Sequence, residues 1–298
     1  MITLESCPTC KGKKFSKKLD CKDYSTSQES FTIVSCETCG FLFTNPRPPE
    51  NNLAKYYKSD MYISHTNNKK GMFNSIYQTV RKYSIKRKLR LLKEKVAKGN
   101  HLDIGCGTGE FLNACKKEGF SARGVEPSKI AREQAIKNYD LVVSSSADLK
   151  QYSSYEFDSI SMWHVLEHVS NIEEMLRGIK RILKKDGTLI IAVPNCNSWD
   201  AAYYKEFWAA WDVPIHLWHF TKKTIKSLFE NNGFKLEDTK PMIFDAFYVS
   251  LLSEEFKFGK KKFIKAFLIG LYSNFIGFCS NKEYSSTIYI FKKQNLKT

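Results

Sequence analysis

The chain has 298 residues, of which 42% are apolar and 14% aromatic, so it can bury a sizeable core and is not globally disordered. Its net charge of +16 lies in the flanks, since residues 1–99 carry 20 basic and 8 acidic side chains whereas residues 100–240 carry 18 and 19. Such flanks favour anionic partners, including nucleic acid, anionic lipid and phosphorylated metabolites, although scattered lysines are also typical of a solvated surface.

The N-terminus and the cysteine content indicate the compartment. MITLESCPTC contains no basic segment leading into an apolar run, and no stretch of 18 apolar residues occurs, so we expect neither a signal peptide nor a spanning helix. The nine cysteines are then interpreted as thiols or metal ligands in a reducing compartment rather than as disulfides. We therefore expect a cytoplasmic protein.

Residues 1–45 contain two C-x-x-C pairs, formed by Cys7, Cys10, Cys36 and Cys39. Four thiolates at two tight turns can complete a tetrahedral Zn²⁺ shell, and a complete shell favours a structural over a catalytic ion. We predict a zinc ribbon here, with a redox role of the cysteines as the competing interpretation. Zinc ribbons bind nucleic acid in some proteins and serve as lids or docking modules in others.

Residues 46–97 are predicted to link the ribbon to the main domain. The prolines in NPRPP, at 45–49, interrupt regular structure because proline lacks the N–H group. A short helix and a loop are expected over 50–70, and helical spacing of apolar residues predicts an amphipathic helix over 72–97 with a strongly basic face.

Strands and helices alternate from residue 101 onward. Strands are predicted at 101–105, 122–126, 141–144, 157–163, 188–193, 235–242 and 286–292, and helices at 109–118, 128–137, 171–184 and 221–232. This βαβ order requires a mainly parallel sheet with helices on both faces, which is a Rossmann-like α/β fold. Asp186-Gly187 is expected to end the helix over 171–184, and the insertion 243–285 is aromatic, basic and expected to be helical.

A glycine turn follows the first of these strands, where Asp103 precedes Gly105, Gly107 and Gly109. Glycines allow the backbone to turn sharply and approach a ligand, and the following helix N-terminus favours an anionic group. The spacing is not that of the dinucleotide fingerprint. Asp103 suits a cationic amino group, and Glu126 at the end of the next strand can accept both hydroxyls of a ribose.

Four segments in this order, LDIGCGTGEFL, GVEPS, FDSISMWHVLEHV and LKKDGTLIIAVPN, resemble the class I S-adenosylmethionine-dependent methyltransferases. The resemblance covers residues 98–240 and the final strand. It implies a seven-stranded, mostly parallel sheet in a methyltransferase domain over 98–298. CETCGFLFTNPRP also resembles the metal module attached to many bacterial methyltransferases of small molecules and saccharides, which favours a lid or docking role for the ribbon over nucleic-acid binding.

The resemblance also implies a binding site for S-adenosylmethionine, whose product is S-adenosylhomocysteine. Asp103 and the turn would hold the methionine part, Glu126 the ribose, and Pro127 the adenine. The full set of implied cofactor residues is Asp103, Gly105, Cys106, Gly107, Gly109, Glu126, Pro127, Ala147, Asp148, Trp163 and His164. Ser144-Ser145-Ser146 replaces an acid that is frequent in the family, which leaves the adenine contacts open.

Two histidine clusters lie near the expected active edge: His164, Glu167 and His168 in H-x-x-E-H, and His216 and His219 in WDVPIHLWHF. A histidine can remove the proton of a hydroxyl acceptor, and His216 and His219 are the preferred base candidates because their loop is expected to pass over the pocket. H-x-x-E-H also partly resembles the E-x-x-E-H of metal-dependent methyltransferases of ubiquinone biosynthesis and of small-RNA 3′ ends. A second divalent metal at Glu167 and His168, or a purely structural role, are the alternatives.

The aromatic residues around the second cluster, and the insertion, leave alternatives open. Tyr203, Tyr204, Phe207, Trp208, Trp211 and Trp218 either stack on an acceptor or belong to the core. The insertion forms either a lid over the pocket or a peripheral membrane contact.

The sequence therefore predicts methyl transfer to a small-molecule or saccharide acceptor, with oxygen favoured because SMWH stands where amine methylases carry their N/D-P-P-Y/F motif. An RNA methyltransferase that uses the ribbon and the basic N-terminal region, and a non-catalytic cofactor-binding scaffold, are the alternatives. A steep loss of affinity with salt would identify the first of them.

Overall fold

The N-terminal region forms a hairpin and a third short strand. The computed structural model describes residues 1–57, 72–145 and 149–294. In it, β1 (Phe15–Lys22), β2 (Ser30–Cys36) and β3 (Leu42–Thr44) pair antiparallel in that order. The short α1 (Glu50–Leu53) and the long α2 (Met72–Lys95) follow, as predicted, and the loop expected up to residue 70 lies, from residue 58 on, outside the described residues.

The predicted alternation of strands and helices is confirmed. The elements are β4 (Asn100–Ile104), α3 (Glu110–Lys117), β5 (Ser121–Val125), α4 (Lys129–Tyr139), β6 (Val142–Ser144), β7 (Phe157–Trp163), α5 (Ile172–Ile182), β8 (Leu183–Pro194), α6 (Trp199–Tyr204), β9 (Trp218–His219), α7 (Lys222–Asn231), β10 (Phe234–Pro241), α8 (Asp245–Phe258), α9 (Phe263–Cys279) and β11 (Ser286–Lys293). The insertion is thus a pair of helices, and no helix within the described ranges combines the length and apolarity needed to cross a bilayer.

Seven strands form the main sheet in the order β10-β11-β8-β7-β4-β5-β6. All neighbours from β8 to β6 are parallel, and β11 runs antiparallel to both β8 and β10. The mostly parallel seven-stranded fold is therefore confirmed. The chain leaves β4 towards β5 on one side and reaches β7 on the other, so a crevice opens beyond the carboxyl end of β4, where such sheets bind ligands.

One predicted boundary is wrong. The helix over 171–184 ends at Ile182 rather than at Asp186-Gly187, and residues 183–187 begin β8. Leu183 is fully buried and pairs with Phe157, and Lys184 forms a salt bridge of 2.7 Å to Asp158. Burial of Leu183 in the sheet therefore outweighs the helical propensity of the lysines that follow it.

The N-terminal sheet takes up a strand from the C-terminal half of the chain. β9 pairs antiparallel with β3, so that Leu42 faces His219 and Phe43 faces Trp218. The indole Nε1 of Trp218 donates to the Val169 carbonyl oxygen at 2.6 Å, and the Arg47 guanidinium lies 4.4 Å from the Trp218 ring centroid. The ribbon therefore shares a sheet and an aromatic core with the loop that carries His216 and His219.

The aromatic run is mainly core. Tyr204, Trp208, Trp211 and Trp218 are at most 5% exposed, whereas Tyr203 and Phe207 are half-buried. Trp208 Nε1 donates to Asp200 Oδ2 at 2.8 Å, and Trp211 Nε1 donates to the Lys205 carbonyl oxygen at 2.8 Å. The indole N–H groups are thus satisfied inside the protein, and stacking on an acceptor is not needed to explain these buried rings.

Candidate active site

Asp103, near the carboxyl end of β4, is the buried acid of the crevice. It is 2% exposed, and Ser161 Oγ donates to its Oδ1 at 2.5 Å. Because that hydroxyl's hydrogen goes to Asp103, His101 Nε2, 3.2 Å away, must be the donor to Ser161. Burial raises the pKa of Asp103 to about 7, against the opposing effects of Ser161 and Lys88. A cationic partner would therefore stabilise the charged form of this buried carboxylate.

The glycine turn has the backbone that its residues require. Gly105, Gly107 and Gly109 all have positive φ, at 74°, 54° and 83°. A Cβ at Gly105 would lie 2.3 Å from Val165 Cγ2, whereas a Cβ at Gly107 would meet open space. The amides of Gly105 and Cys106 both donate to the Val125 carbonyl oxygen, which fixes β4 to β5 at the turn. The Gly107 backbone is thus accessible to a ligand.

Glu126 follows β5 and is held by the backbone. The amides of Gly107 and Ser128 each donate to one of its oxygens at 2.8 Å, and the residue is 4% exposed. Burial raises its pKa, although these amides favour the charged form. Each oxygen retains a second lone pair, so the carboxylate can accept two more hydrogen bonds.

A cavity of about 730 Å³ runs beside this edge. Gly105, Pro127, Leu149, Val165 and His168 are among its walls, and residues 50 and 57 from the linker border it too. It therefore connects the glycine turn with the first histidine cluster. Residues 146–148, which include the predicted adenine contacts Ala147 and Asp148, lie outside the described residues.

The helix α2 closes the other side of the crevice. Lys88 is half-buried, with Nζ 4.5 Å from the centroid of the Trp163 ring, and burial lowers its pKa, against the attraction of Asp103 and Asp245. Arg81 forms a salt bridge of 2.5 Å with Glu110 at the start of α3. Trp163 is 9% exposed, and no described residue accepts from its Nε1. The linker helix thus supplies a half-buried cation that interacts electrostatically with Asp103.

His164 follows β7 with a positive φ of 56°, which is uncommon for a residue other than glycine and occurs at functional sites. Its Nε2 lies 2.9 Å from Asp245 Oδ2, and its Nδ1 lies 3.4 Å from Glu167 Oε1. Burial disfavours the imidazolium, but the two carboxylates outweigh it and raise the pKa of His164 to about 10. His164 is therefore a cation at neutral pH.

Glu167, His168 and His216 form a compact group, here named the Glu167 cluster. One ligand atom from each lies within 4.8 Å of the others, and the two imidazole centroids are 4.6 Å apart. Glu167 is 1% exposed, and no described residue forms a hydrogen bond with either of its carboxylate oxygens. Oε1 is paired with the His164 cation at 3.4 Å, whereas Oε2 is buried without a hydrogen bond from any described residue, which is costly and calls for a further partner.

Backbone carbonyl groups fix both imidazoles of the Glu167 cluster. His168 Nδ1 lies 3.1 Å from the Ile215 oxygen, and His216 Nδ1 lies 2.8 Å from the Ala210 oxygen. Because a carbonyl oxygen only accepts, each Nδ1 carries the hydrogen and each neutral ring keeps a lone pair on Nε2. Tyr57 Oη, 3.2 Å from His168 Nδ1, is then a second acceptor of that hydrogen. Burial lowers the pKa of His168 to about 4 and also lowers that of His216. Both rings are therefore neutral and able to accept a proton or bind a metal.

His219 lies apart from this cluster. It is 4% exposed, with Nε2 3.1 Å from Thr44 Oγ1. The Thr44 hydroxyl donates to the His216 carbonyl oxygen at 2.9 Å, so His219 Nε2 must donate to Thr44. This ring connects β9 to β3 through Thr44, and the described walls of the cavity of about 730 Å³ include His168 but neither His216 nor His219.

The four ribbon cysteines lie together. Cys7 Sγ is 3.6 Å from Cys39 Sγ, and Cys10 Sγ is 3.5 Å from Cys36 Sγ. In a tetrahedral Zn²⁺ site with Zn–S bonds of about 2.3 Å, the distance between two sulfur atoms is about 3.8 Å. The donor set and its spacing fit this ion.

The comparison with known families decides the identity of the main domain. Residues 77–239, more than half of the chain, match the family described as "Methyltransferase domain". The chain belongs to this methyltransferase family. Its fold is that of the class I S-adenosylmethionine-dependent methyltransferases, as the four sequence segments indicated.

Curated relatives of the methyltransferase cover only part of it. An uncharacterized protein of Methanocaldococcus jannaschii is 31% identical over 121 residues, which are 41% of this chain and 57% of that protein. The mitochondrial ubiquinone biosynthesis O-methyltransferase of Bos taurus is 27% identical over 162 residues, 49% of this chain and 44% of that one. The chain thus spans about half the length of the curated relatives it matches.

Solved structures share the fold of the methyltransferase. Magnesium protoporphyrin IX methyltransferase of Synechocystis, with bound S-adenosylhomocysteine, has a TM-score of 0.55 and 12% identity, with 83% of this chain and all of that chain covered. Phosphoethanolamine N-methyltransferase 2 of Haemonchus contortus, in complex with S-adenosylmethionine, has a TM-score of 0.50 and 16% identity, with 70% and 53% covered. At these identities the likeness concerns the fold alone.

Sequence reasoning missed two charged residues of the methyltransferase site. Lys88 stands in the basic run KYSIKRKLR, where nothing distinguishes an inward lysine from its exposed neighbours. Asp245 stands at the start of the insertion, 81 residues from His164, and no local pattern connects the two. The turn, Glu126, Trp163 and the H-x-x-E-H residues were predicted, and the structure brings them to one edge.

Proposed function

We propose that the chain methylates an oxygen of a small-molecule or saccharide acceptor, and that an imidazole of the Glu167 cluster takes the acceptor's proton. The observation that carries the proposal is the pair of neutral imidazoles, His168 and His216, whose Nδ1 atoms are held by backbone carbonyl oxygens and whose Nε2 atoms keep their lone pairs beside a buried carboxylate. His168 lines the same cavity as the glycine turn, so acceptor and cofactor can meet there.

The proposed cofactor site follows the charges of the crevice. The Asp103 carboxylate would pair with the cofactor's ammonium group, Lys88 with its carboxylate, and Glu126 with the ribose hydroxyls. Pro127 on the cavity wall would contact the adenine, while contacts of Ala147 and Asp148 remain a prediction. Trp163, whose ring centroid lies 4.5 Å from Lys88 Nζ, would lie beside the methyl donor.

The proposed transfer is an in-line displacement. A lone pair of the acceptor oxygen attacks the methyl carbon as the bond from that carbon to sulfur breaks, and the sulfonium becomes a neutral thioether. The hydroxyl proton passes to an Nε2 of the cluster, and Glu167 stabilises the imidazolium that forms. His164, already a cation paired with Asp245, would position Glu167 rather than act as the base.

Lys88→Met is expected to raise the KM for S-adenosylmethionine about tenfold with little change in kcat, because one charge-assisted bond to the cofactor is lost in ground and transition state alike. Steady-state kinetics with the cofactor as the varied substrate measure this. Lys86→Met, an exposed lysine on the same helix, is the matched control. Equal KM values for the two variants would contradict the role of Lys88.

Glu167→Gln is expected to lower kcat about 10²-fold with little effect on cofactor affinity, since the amide has the same shape but cannot stabilise an imidazolium. Single-turnover rates and calorimetric titration with S-adenosylhomocysteine separate the two quantities. Glu133→Gln, on an exposed face of α4, is the control. A full rate in Glu167→Gln would contradict the proposed role of the cluster.

A divalent cation in the same cluster is the second candidate, and the buried Glu167 Oε2, which has no hydrogen bond from a described residue, favours it. Glu167, His168 and His216 would hold the ion. The two histidines fit this role, since metal-binding histidines typically donate the N–H of their other ring nitrogen to a carbonyl oxygen, as both Nδ1 atoms do here. A bound cation would lower the pKa of an acceptor hydroxyl.

Chelation distinguishes the two candidates. The enzyme is treated with EDTA under conditions that remove other divalent metals but leave its zinc content unchanged. Mass spectrometry measures both. Loss of activity that Mg²⁺ or Mn²⁺ restores would assign the cation. Full activity after this treatment would assign the imidazole alone.

The acceptor class is tested with methyl-labelled S-adenosylmethionine and a fractionated cell extract. We expect label in RNase-resistant low-mass or saccharide material, released as methyl iodide by hydriodic acid, which cleaves methyl ethers. Label in RNase-sensitive polymer would overturn the proposal in favour of an RNA substrate. Tight cofactor binding with no labelled product in any fraction would favour a scaffold.

A further inference from the structure

The helix α9 exposes a broad apolar face. Eight of its large side chains are between 43% and 80% exposed: Phe263, Ile264, Phe267, Leu268, Leu271, Tyr272, Phe275 and Phe278. A contiguous exposed patch of this kind is unusual in a water-soluble domain and marks an interaction surface. Here it is named the α9 face.

The helix presents its small residues to the protein and its large residues outward. Ala266, Gly270, Ser273 and Gly277, at helical spacing, are the buried positions of α9. A Cβ at Gly270 would lie 2.7 Å from Phe247 Cδ1 on α8, so α9 packs too closely there for a larger side chain. The arrangement is the reverse of a helix that buries its apolar side chains in a core.

Lysines surround the start of this face. Residues 257–282 contain six lysines and no aspartate or glutamate. Lys260 and Lys262 stand just before α9, and Lys265 lies within its first turn. Lys265 forms a salt bridge of 3.1 Å with Glu254, and Lys261 one of 3.5 Å with Glu255. The other lysines leave the segment with a net positive charge beside its apolar side chains.

We propose that the α9 face docks on an anionic lipid surface, with the helix parallel to the membrane plane. Seventeen residues span about 25 Å, too short to cross the hydrocarbon core of about 30 Å but suited to lying at the interface. The lysines would contact lipid phosphates while the aromatic and aliphatic side chains enter the headgroup region. A second copy of the chain fits less well, because pairing two α9 faces would bring like charges together.

No described wall of the 730 Å³ cavity comes from α9, so the face is free of the proposed active site. The proposal thus stands independently of the acceptor. The preceding helix α8 begins at Asp245, the partner of His164, and membrane docking would set the catalytic edge at a fixed distance from the bilayer.

The test is flotation of the full chain with vesicles of equal parts phosphatidylcholine and phosphatidylglycerol, compared with phosphatidylcholine alone. We expect binding to the anionic vesicles that weakens as ionic strength rises, and at least about a tenfold loss of partitioning in Ile264→Ser/Phe275→Ser/Phe278→Ser. Ile130→Ser/Ile136→Ser/Val142→Ser removes exposed apolar side chains elsewhere and is the matched control.

Three results would overturn the proposal. The first is no flotation of the wild-type chain with anionic vesicles, and the second is equal loss of partitioning in the two triple variants. The third is a concentration-dependent dimer, seen by analytical ultracentrifugation, that the α9 variant alone abolishes while vesicle binding is absent. Titration with S-adenosylhomocysteine verifies that both variants are folded.

Discussion

Asp103→Asn is expected to lower the affinity for S-adenosylmethionine at least about 100-fold, because the substitution removes the buried charge proposed to pair with the cofactor's ammonium group. Isothermal titration of the purified protein measures the loss. Asp140→Asn, a fully exposed acid at the end of α4, is the control. The amide keeps the volume of the acid, so lost affinity would reflect charge rather than packing.

The same substitution is expected to stabilise the cofactor-free protein above neutral pH. The folded pKa of Asp103 is about 7, against an ordinary value of 3.8, so the folded state binds the proton more tightly than the unfolded state. Stability from the protonated acid is complete below about pH 4 and is lost as the pH rises through 7. Asparagine carries no such penalty, and the gain is at most about 4 kcal/mol.

Two pH series verify this argument. The free energy of unfolding of the wild-type chain should fall between pH 4 and 7 relative to that of Asp103→Asn, with the difference constant above about pH 8. Cofactor affinity of the wild-type chain should weaken below pH 7, where the acid becomes neutral. Parallel stability curves, together with a pH-independent affinity, would show that Asp103 is not the site's anion.

The fold was predictable because the parallel strands give an unambiguous pattern. β7 and β8 are buried on both faces, so their apolar runs, together with the amphipathic α5 between them, admit few alternatives. The glycine turn was equally clear, since positive φ at Gly105 and Gly107 restricts the residue type. The edge of the sheet proposed to bind the cofactor could therefore be predicted from local sequence.

Contacts between distant segments could not be predicted in this way. β9 has two residues, and its pairing with β3 joins positions 42 and 219, which no local pattern relates. That pairing directs His219 towards Thr44 and leaves His216 beside His168. The sequence grouped His216 and His219 as equivalent base candidates, whereas the register of one short strand separates them.

Loss of the metal from the N-terminal ribbon is expected to have a large effect, because β3 of the ribbon's sheet pairs with β9. We propose that the four cysteines hold a structural Zn²⁺, and Cys36→Ser is expected to abolish its binding. The variant should lose at least about 3 kcal/mol of unfolding free energy, since structural zinc is worth about 10–16 kcal/mol in zinc-finger peptides. Metal content by mass spectrometry and chemical denaturation measure the two effects.

Loss of the ion should also reach the active site. Cys36 ends β2, β2 pairs with β3, and Thr44 at the end of β3 donates to the carbonyl oxygen of His216. We therefore expect at least about a tenfold loss of kcat in Cys36→Ser under conditions where the main sheet remains folded. Cys21→Ser, a buried cysteine of the same sheet outside the metal cluster, is the control. A zinc-free variant with full activity would show that the ion only stabilises the ribbon. A wild-type chain without zinc, in which Cys7 is disulfide-bonded to Cys39, would favour the redox interpretation.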